Sequence, residues 1–405
     1  MTRAGALAAG CAIALLVAAC GALAWVDDSP LVPRQAGLAA AGGAPLFLAL
    51  LAAAFAVYVA ALLLLRSGGP TLGAVAAVAV VVQLVPLGAP LLLSTDAWTY
   101  WDYGRLAAVH DVNPYAHPPS VRADDPAFAA MGARWRERTT VYGPAFTLAS
   151  EGVAHAARSS ADAAAWAFKA AAGLAMLVAA GLAAVVARRG TLALAFVGWN
   201  PVLALHQGGG GHNDALVGAL AVGALALAAA GRLRGSGAAW TLAAAVKWVP
   251  LVFLALHLLG CRAAGRWRPL LAGAAASAAV VATVASWRYG VRWLAALGPL
   301  VDNAGLETRY AIPRRLQDAG LPRPAALVLA AGVLVLGLAW LAASAARGSP
   351  RLGRAACLLL ATTPYLAVWY LAWAVPLAAV DEDDRVARLG ALALCAYLLP
   401  QAVPL

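Results

Sequence analysis

The sequence predicts an all-α integral membrane protein built as a bundle of roughly ten to twelve apolar spans. Three observations carry this. Of 405 residues, 63% are apolar and only 12% charged, against about 45–50% and about 25% in soluble domains. The apolar residues fall in runs close to the ~20 that cross a bilayer. The basic residues sit at the ends of those runs, as in Arg188-Arg189, Arg232/Arg234 and Arg266/Arg268. So apolar a chain is neither disordered nor able to cover a water-soluble surface.

The formal charge of +11 does not point to nucleic acid. Scattered arginine pairs flanking apolar runs follow the positive-inside rule and form no basic face. Arginine outnumbers lysine 27 to 2, a bias suggesting a GC-rich bacterial genome and saying nothing about chemistry. The five cysteines lie in or beside spans without CxxC spacing, so no disulfide framework or metal cluster is expected. Val17-Ala18-Ala19-Cys20 matches the small-residue pattern before a lipoprotein cysteine, but the first span is read as retained.

In chain order, spans are expected near 5–25, 44–65, 70–93, 161–187, 191–207, 213–231, 269–286, 324–346, 353–380 and 386–404. Three segments fit no ordinary span. Residues 94–141 form a long polar loop rich in Trp, Tyr, Pro, Arg and Asp, and loops of such length are usually functional. Residues 142–157 are a short apolar run containing Glu151 and His155. Residues 238–259 are interrupted by Lys247 and Pro250. With Arg3 placed in the cytoplasm, 94–141 is external and 142–157 becomes a half-helix in the interface. The glycine run 208–211 is external too. Arginines flank 238–259 on both sides, so it is expected to be a re-entrant hairpin turning near Lys247 and Pro250. Broken backbone at membrane depth is tolerated beside a cavity, which Lys247 should face. Residues 287–323 form a second external loop whose arginines run against the positive-inside trend.

Asp96 opens a segment whose aromatics suit the membrane interface, Asp96-Ala97-Trp98-Thr99-Tyr100-Trp101-Asp102-Tyr103-Gly104-Arg105. Its carboxylate reads either as a general base at a cavity mouth or as a helix N-cap. The stretch His206-Gln207-Gly208-Gly209-Gly210-Gly211-His212-Asn213-Asp214 allows close backbone approach to a ligand. It reads as a binding element or as the cap of the next helix. Lys247, an ionisable group inside a span, is functional by default, and its natural partner is an anion such as a phosphate. Tyr365, Trp369, Tyr370 and Trp373 would line an interface or cavity.

The order of these pieces resembles a known family. Thr95-Asp96-x-x-x-Tyr100 with Gly104-Arg105, then Asn113-Pro114-Tyr115 and Tyr142-Gly143-Pro144, open the match. Asn200-Pro201, Gly209-Gly210-x-His212-Asn213-Asp214, Val246-Lys247-Trp248 and Trp369-Tyr370-x-x-Trp373 continue it. The chain looks like the polyprenol-phosphomannose-dependent mannosyltransferases of actinobacteria, integral-membrane enzymes of the GT-C fold. It is more distantly similar to the glycosyltransferase family 87 enzymes. The resemblance spans about residues 90–385. It implies a single GT-C domain over 1–405, with 94–141 as first catalytic loop and 287–323 as second loop. The implied reaction moves a sugar, mannose by this resemblance, from a polyprenyl phosphate to a hydroxyl of a cell-envelope glycan or lipoglycan. The resemblance further implies inverting transfer at the external face of the bacterial plasma membrane.

The resemblance matches Asp96 to the catalytic aspartate. Lys247, Arg309, Arg314, Arg315 and Arg105 are candidates for the donor phosphate. His212, Asn213, Asp214, Asp102, Tyr100, Trp369 and Tyr370 are candidates for sugar or acceptor. No cofactor is expected, and the external loops carry no dense carboxylate cluster for a divalent ion. Two other readings keep these features: the same chemistry with polyprenyl-phosphate arabinose or glucose, and a lipid-linked sugar transporter or flippase, against which the halves show no internal repeat.

Overall fold

A computed structural model describes residues 3–33, 43–66, 68, 70–298 and 305–402. The expected all-helical membrane bundle is what it shows, with no strand among the described residues. Residues 299–304 of the second loop lie outside the described set.

The helices, in chain order, are α1 (Arg3–Ala22), α2 (Ala44–Arg66) and α3 (Leu72–Leu84), then α4 (Asp96–Ala108), α5 (Pro144–Ala157) and α6 (Ala161–Val186). After α7 (Gly190–Gly198) a π-helical turn covers Ala204–Gly209, followed by α8 (Asp214–Ala229), α9 (Leu233–Val246), α10 (Pro250–Ala263) and α11 (Trp267–Tyr289). The C-terminal part holds α12 (Ile312–Asp318), α13 (Arg323–Ala346), α14 (Leu352–Thr362), α15 (Leu371–Val380) and α16 (Arg385–Leu398). Among the described residues five helical segments, starting at Arg3, Ala44, Ala161, Trp267 and Arg323, are long and apolar enough to cross a membrane, six if the bent pair Pro201–Gly209 and Asp214–Ala229 counts as one, against the ten to twelve spans expected. The remaining apolar helices are shorter.

The interruption at Lys247 folds as expected. Lys247 leaves the helix in an extended conformation and Pro250 opens α10 near its N-terminus, where its missing N–H costs nothing. Backbones of α9 and α11 touch at their starts: a Cβ at Gly237 would lie 2.0 Å from the Leu270 carbonyl oxygen, and one at Gly273 1.9 Å from that of Arg234. Small residues permit such contact between membrane helices. Because α10 ends just before α11 begins, α9 and α10 start and finish at the same end of the bundle. Each arm of this hairpin has 14 residues, about 21 Å at ~1.5 Å per residue, short of the ~30 Å hydrocarbon core. Lys247 therefore sits at the floor of a recess.

One expected span is corrected. Residues 353–380 are two helices, α14 and α15, and not one. Thr363 precedes Pro364, which drives it into the extended conformation observed and stops the helix. The chain then turns back, so that Gly353 packs against Ala378 and Ala387. This turn carries Tyr365, Trp369 and Tyr370 to the same end of the bundle as Asp96 and the Lys247 tip. The opposite end gathers arginines: Arg188 pairs with Asp383 at 2.5 Å and Arg354 with Asp384 at 2.6 Å.

The loop 94–141 is anchored by buried charge. Arg105 grips both oxygens of Asp125 at 2.7 and 2.8 Å and also donates to the Arg158 carbonyl. His110 Nε2 lies 2.5 Å from the same carboxylate. Asp102, buried nearby, is pushed up to about 7 by burial and by Asp125, with Arg105 and Arg136 opposing. An unfolded aspartate titrates near ~3.9, so the folded protein holds Asp102 protonated over a window in which the unfolded chain would ionise it. The associated stability is full below pH ~4 and is lost as pH rises toward ~7. Asp102→Asn should therefore raise the melting temperature at pH 8 and leave it unchanged at pH 4. An equal change at both values in detergent melts would refute the buried neutral acid.

Candidate active site

Asp96 is the first residue of α4, and its side chain caps nothing; Ser94 Oγ instead accepts the Asp96 N–H at 3.1 Å. Trp98 Nε1 donates to the Ala161 carbonyl, fixing α4 against α6. The Asp96 carboxylate meets His212, whose Nδ1 lies 3.3 Å from Oδ2, and the Tyr100 hydroxyl, 3.5 Å from the same oxygen. Burial alone would raise its pKa. The His212 contact, the Lys247 charge and the Ser94 hydrogen bond outweigh it and hold the carboxyl below its usual value.

His212 arrives from the glycine run. A Cβ at Gly208 would lie 2.6 Å from the Gln83 carbonyl oxygen, and Gly211 has φ +70, which glycine adopts without strain. The preceding π-helical turn, a form frequent at functional sites, ends the segment Pro201–Gly209, which meets Asp214–Ala229 at 118° across the break that holds Gly211 and His212. The imidazole of His212 is fully buried and stacks on Trp369, ring centroids 4.0 Å apart and planes 10° from parallel. Gln207 Nε2 donates to the Trp369 carbonyl, which ties the α14–α15 turn to the glycine run.

Two residues on, Asp214 is fully buried and takes the Lys247 ammonium on both oxygens, at 2.8 and 3.0 Å. Lys247 Nζ also lies 4.4 Å from the Tyr370 ring centroid and 5.3 Å from that of Trp373, within cation–π range. The hairpin tip is pinned from the loop side, because the Gly143 N–H donates to the Val246 carbonyl and Trp248 Nε1 to that of Val141. The Asn213 side chain is buried with neither polar atom bonded to protein. Asn213 and Asp214 are thus not serving as side-chain caps.

Asp96 and Lys247 reach a common cleft of 410 Å³ walled by Trp135, Tyr142, Tyr365 and Trp369 among others. Their side chains are 15% and 19% exposed, whereas those of His212 and Asp214 are 0% exposed. The arrangement is two parallel pairs: an accessible carboxylate with a buried imidazole behind it, and an accessible ammonium with a buried carboxylate behind it. Trp369 and Tyr370 line the cleft, and Tyr100 lies beside Asp96.

Four arginines singled out by sequence do not line it. Arg105 holds Asp125, Arg314 and Arg315 pair with Asp318 on α12, and Arg309 lies over Tyr310. Asp102 is buried with Asp125 and likewise does not line the cleft. One wall residue, Trp135, had no sequence signal of its own, and neither had Arg134, which lies beside the wall residue Tyr365. Both are placed by Gly132, whose N–H donates to Thr99 Oγ1 and whose missing side chain admits Thr95.

Residues 3–264 match the model of the MptA_B family, described as alpha-(1->6)-mannopyranosyltransferase, N-terminal domain. The chain belongs to this mannosyltransferase family. The matched region contains Asp96, His212, Asp214 and Lys247, so both pairs of the cleft lie inside it. Neither a curated protein nor a solved structure matches the chain. A mannosyltransferase needs a sugar donor and a glycan acceptor, and this cleft offers a carboxylate able to accept a proton close to a cation able to meet an anion.

Proposed function

We propose that this enzyme transfers mannose from a polyprenyl-phosphate donor to a hydroxyl of a cell-envelope glycan or lipoglycan, with inversion, on the external face of the plasma membrane, as a GT-C glycosyltransferase. The observation that carries the reading is the presence of Asp96 and Lys247 in one cleft. Asp96 accepts the proton of the acceptor hydroxyl as its oxygen bonds to the anomeric carbon. The bond from that carbon to the phosphate oxygen breaks on the opposite face, and polyprenyl phosphate leaves with its charge met by Lys247. His212 and Asp214 act through these two groups as positioning residues. Val249, Leu306 and Leu359 add apolar wall suited to the first isoprene units.

The external placement rests on the arginines at the opposite end, which the positive-inside rule assigns to the cytoplasm. In membranes supplied with labelled donors, product is expected from polyprenyl-phosphate mannose. Polyprenyl-phosphate arabinose or glucose should give none. Direct use of a nucleotide sugar in the absence of lipid carrier would overturn the donor assignment, and movement of the lipid-linked sugar without a new glycosidic bond would make the protein a transporter.

A further inference from the structure

At the end opposite the catalytic cleft, α2, α7 and α16 enclose a second cavity with two chemically distinct halves. The outer half, of 470 Å³, is bordered by Arg66, Arg188, Arg189, Arg385 and Arg388 with Glu382 and Asp383. The inner half, of 520 Å³, runs down the membrane-facing side between Val59, Leu62, Leu63, Phe196, Leu389 and Leu392. Arg66, Arg189, Arg385 and Arg388 border both.

The two acids do not neutralise this set. Asp383 and Glu382 are engaged by the Arg188 side chain, and Glu382 also accepts the Arg189 backbone N–H. Arg388 feels the like charges of Arg66, Arg189 and Arg385, with Glu382 alone opposing them. Among the described residues, Arg66, Arg385 and Arg388 make no ion pair with an acid. Crowded like charges at the mouth of an apolar groove leave an unmet demand for an anion that carries hydrocarbon. Leu63 and Leu389, 58% and 66% exposed, form the lip over which acyl chains would pass. The mannosyl-transfer chemistry uses none of these residues.

We infer that this cavity is a binding site for an anionic phospholipid of the cytoplasmic leaflet, its phosphate held by Arg66, Arg385 and Arg388 and an acyl chain lying in the groove between α2 and α16. Basic pockets between membrane helices on that side are suited to such headgroups. Bound lipid would tie the end of α2 to the start of α16, beside the Arg188–Asp383 pair that already joins the turns before α7 and α16.

The test uses the full-length protein, purified in neutral detergent and titrated with cardiolipin, phosphatidylglycerol, phosphatidylcholine or inorganic phosphate, with lipid adducts counted by native mass spectrometry and melting followed in parallel. Cardiolipin and phosphatidylglycerol are expected to bind and raise the melting temperature; phosphatidylcholine and free phosphate are not. The triple variant Arg66→Gln/Arg385→Gln/Arg388→Gln should weaken anionic-lipid binding roughly a hundredfold. It should keep its transfer rate in phosphatidylcholine vesicles, because it leaves the catalytic cleft untouched. A control variant, Arg262→Gln/Arg266→Gln, removes charge at the same end but outside the cavity and should bind as the parent does. Equal loss in the control would overturn the site in favour of diffuse charge. Undiminished binding by the triple variant would overturn it outright, and so would stabilisation by inorganic phosphate alone.

Discussion

Asp96→Asn is expected to cut mannosyl transfer by roughly 10²–10⁴-fold, the range over which a positioned general base acts, while leaving donor affinity and folding close to those of the parent. The substitution keeps the shape of the side chain and its neighbours, Tyr100 and the His212 ring stacked on Trp369, and removes the negative charge and with it the capacity to accept a proton. Rate and Michaelis constant should therefore separate, kcat falling and the donor KM holding. Full activity in this variant would end the assignment of Asp96. The pH profile adds a second reading. His212, Lys247 and Ser94 together hold the Asp96 carboxyl below its ordinary value against the effect of burial. A base must be ionised to work, so the acid-side fall of kcat/KM belongs below the ~3.9 of an unperturbed aspartate. Replacing His212 by alanine removes the largest of these stabilising contacts. The acid limb should then move upward while the neutral-pH rate of the ionised enzyme changes less, a shift that a merely structural histidine would not produce.

The local features of this site were legible in sequence, and its pairings were not. A lysine inside an apolar run beside a proline announces a broken helix, because both residues are costly in a continuous span, and the hairpin of α9 and α10 follows. Asp96 and the His212-Asn213-Asp214 run stood out for the same reason: polar groups cluster at the ends of apolar segments only for a cap or a ligand, and here none of these side chains caps its helix. What periodicity cannot carry is that Asp96 meets His212 across more than a hundred residues and that Asp214 meets Lys247 across 33. Reading His212, Asn213 and Asp214 as contacts for sugar follows from their exposure in a one-dimensional loop; folded, His212 and Asp214 are buried behind the groups that reach the cleft. The external arginines misled similarly. An arginine against the positive-inside trend signals an anion, but the anion is a protein carboxylate for Arg105, Arg314 and Arg315. The break inside the expected span 353–380 was missed because Thr363-Pro364 interrupts it with no charge to mark the turn.

Lys247→Met separates structure from catalysis if it is read together with its partner. Alone, it leaves the fully buried Asp214 carboxylate without its counter-charge, and breaking such a pair from one side costs about 3–5 kcal/mol. Loss of transfer in the single variant thus has two sources, an unfolded population and a missing cation. The double variant Lys247→Met/Asp214→Asn removes both charges, so its melting temperature should return most of the way to that of the parent. Transfer should not return. The departing phosphate would still lack its ammonium, and the loss of one such charge-stabilising donor is worth roughly 10²–10³-fold in kcat. Asp214→Asn alone runs the other way, keeping the cation over Tyr370 and Trp373 while releasing it from its strongest restraint. That variant should retain measurable transfer and fall between the parent and the double variant. Recovery of transfer together with stability in the double variant would show that Lys247 serves the fold alone, and the leaving phosphate would then need a different cation. The guanidinium of Arg134, beside the cleft residue Tyr365, is then the candidate to test. Stability and turnover moving apart is the outcome that places the ammonium at the reacting phosphate.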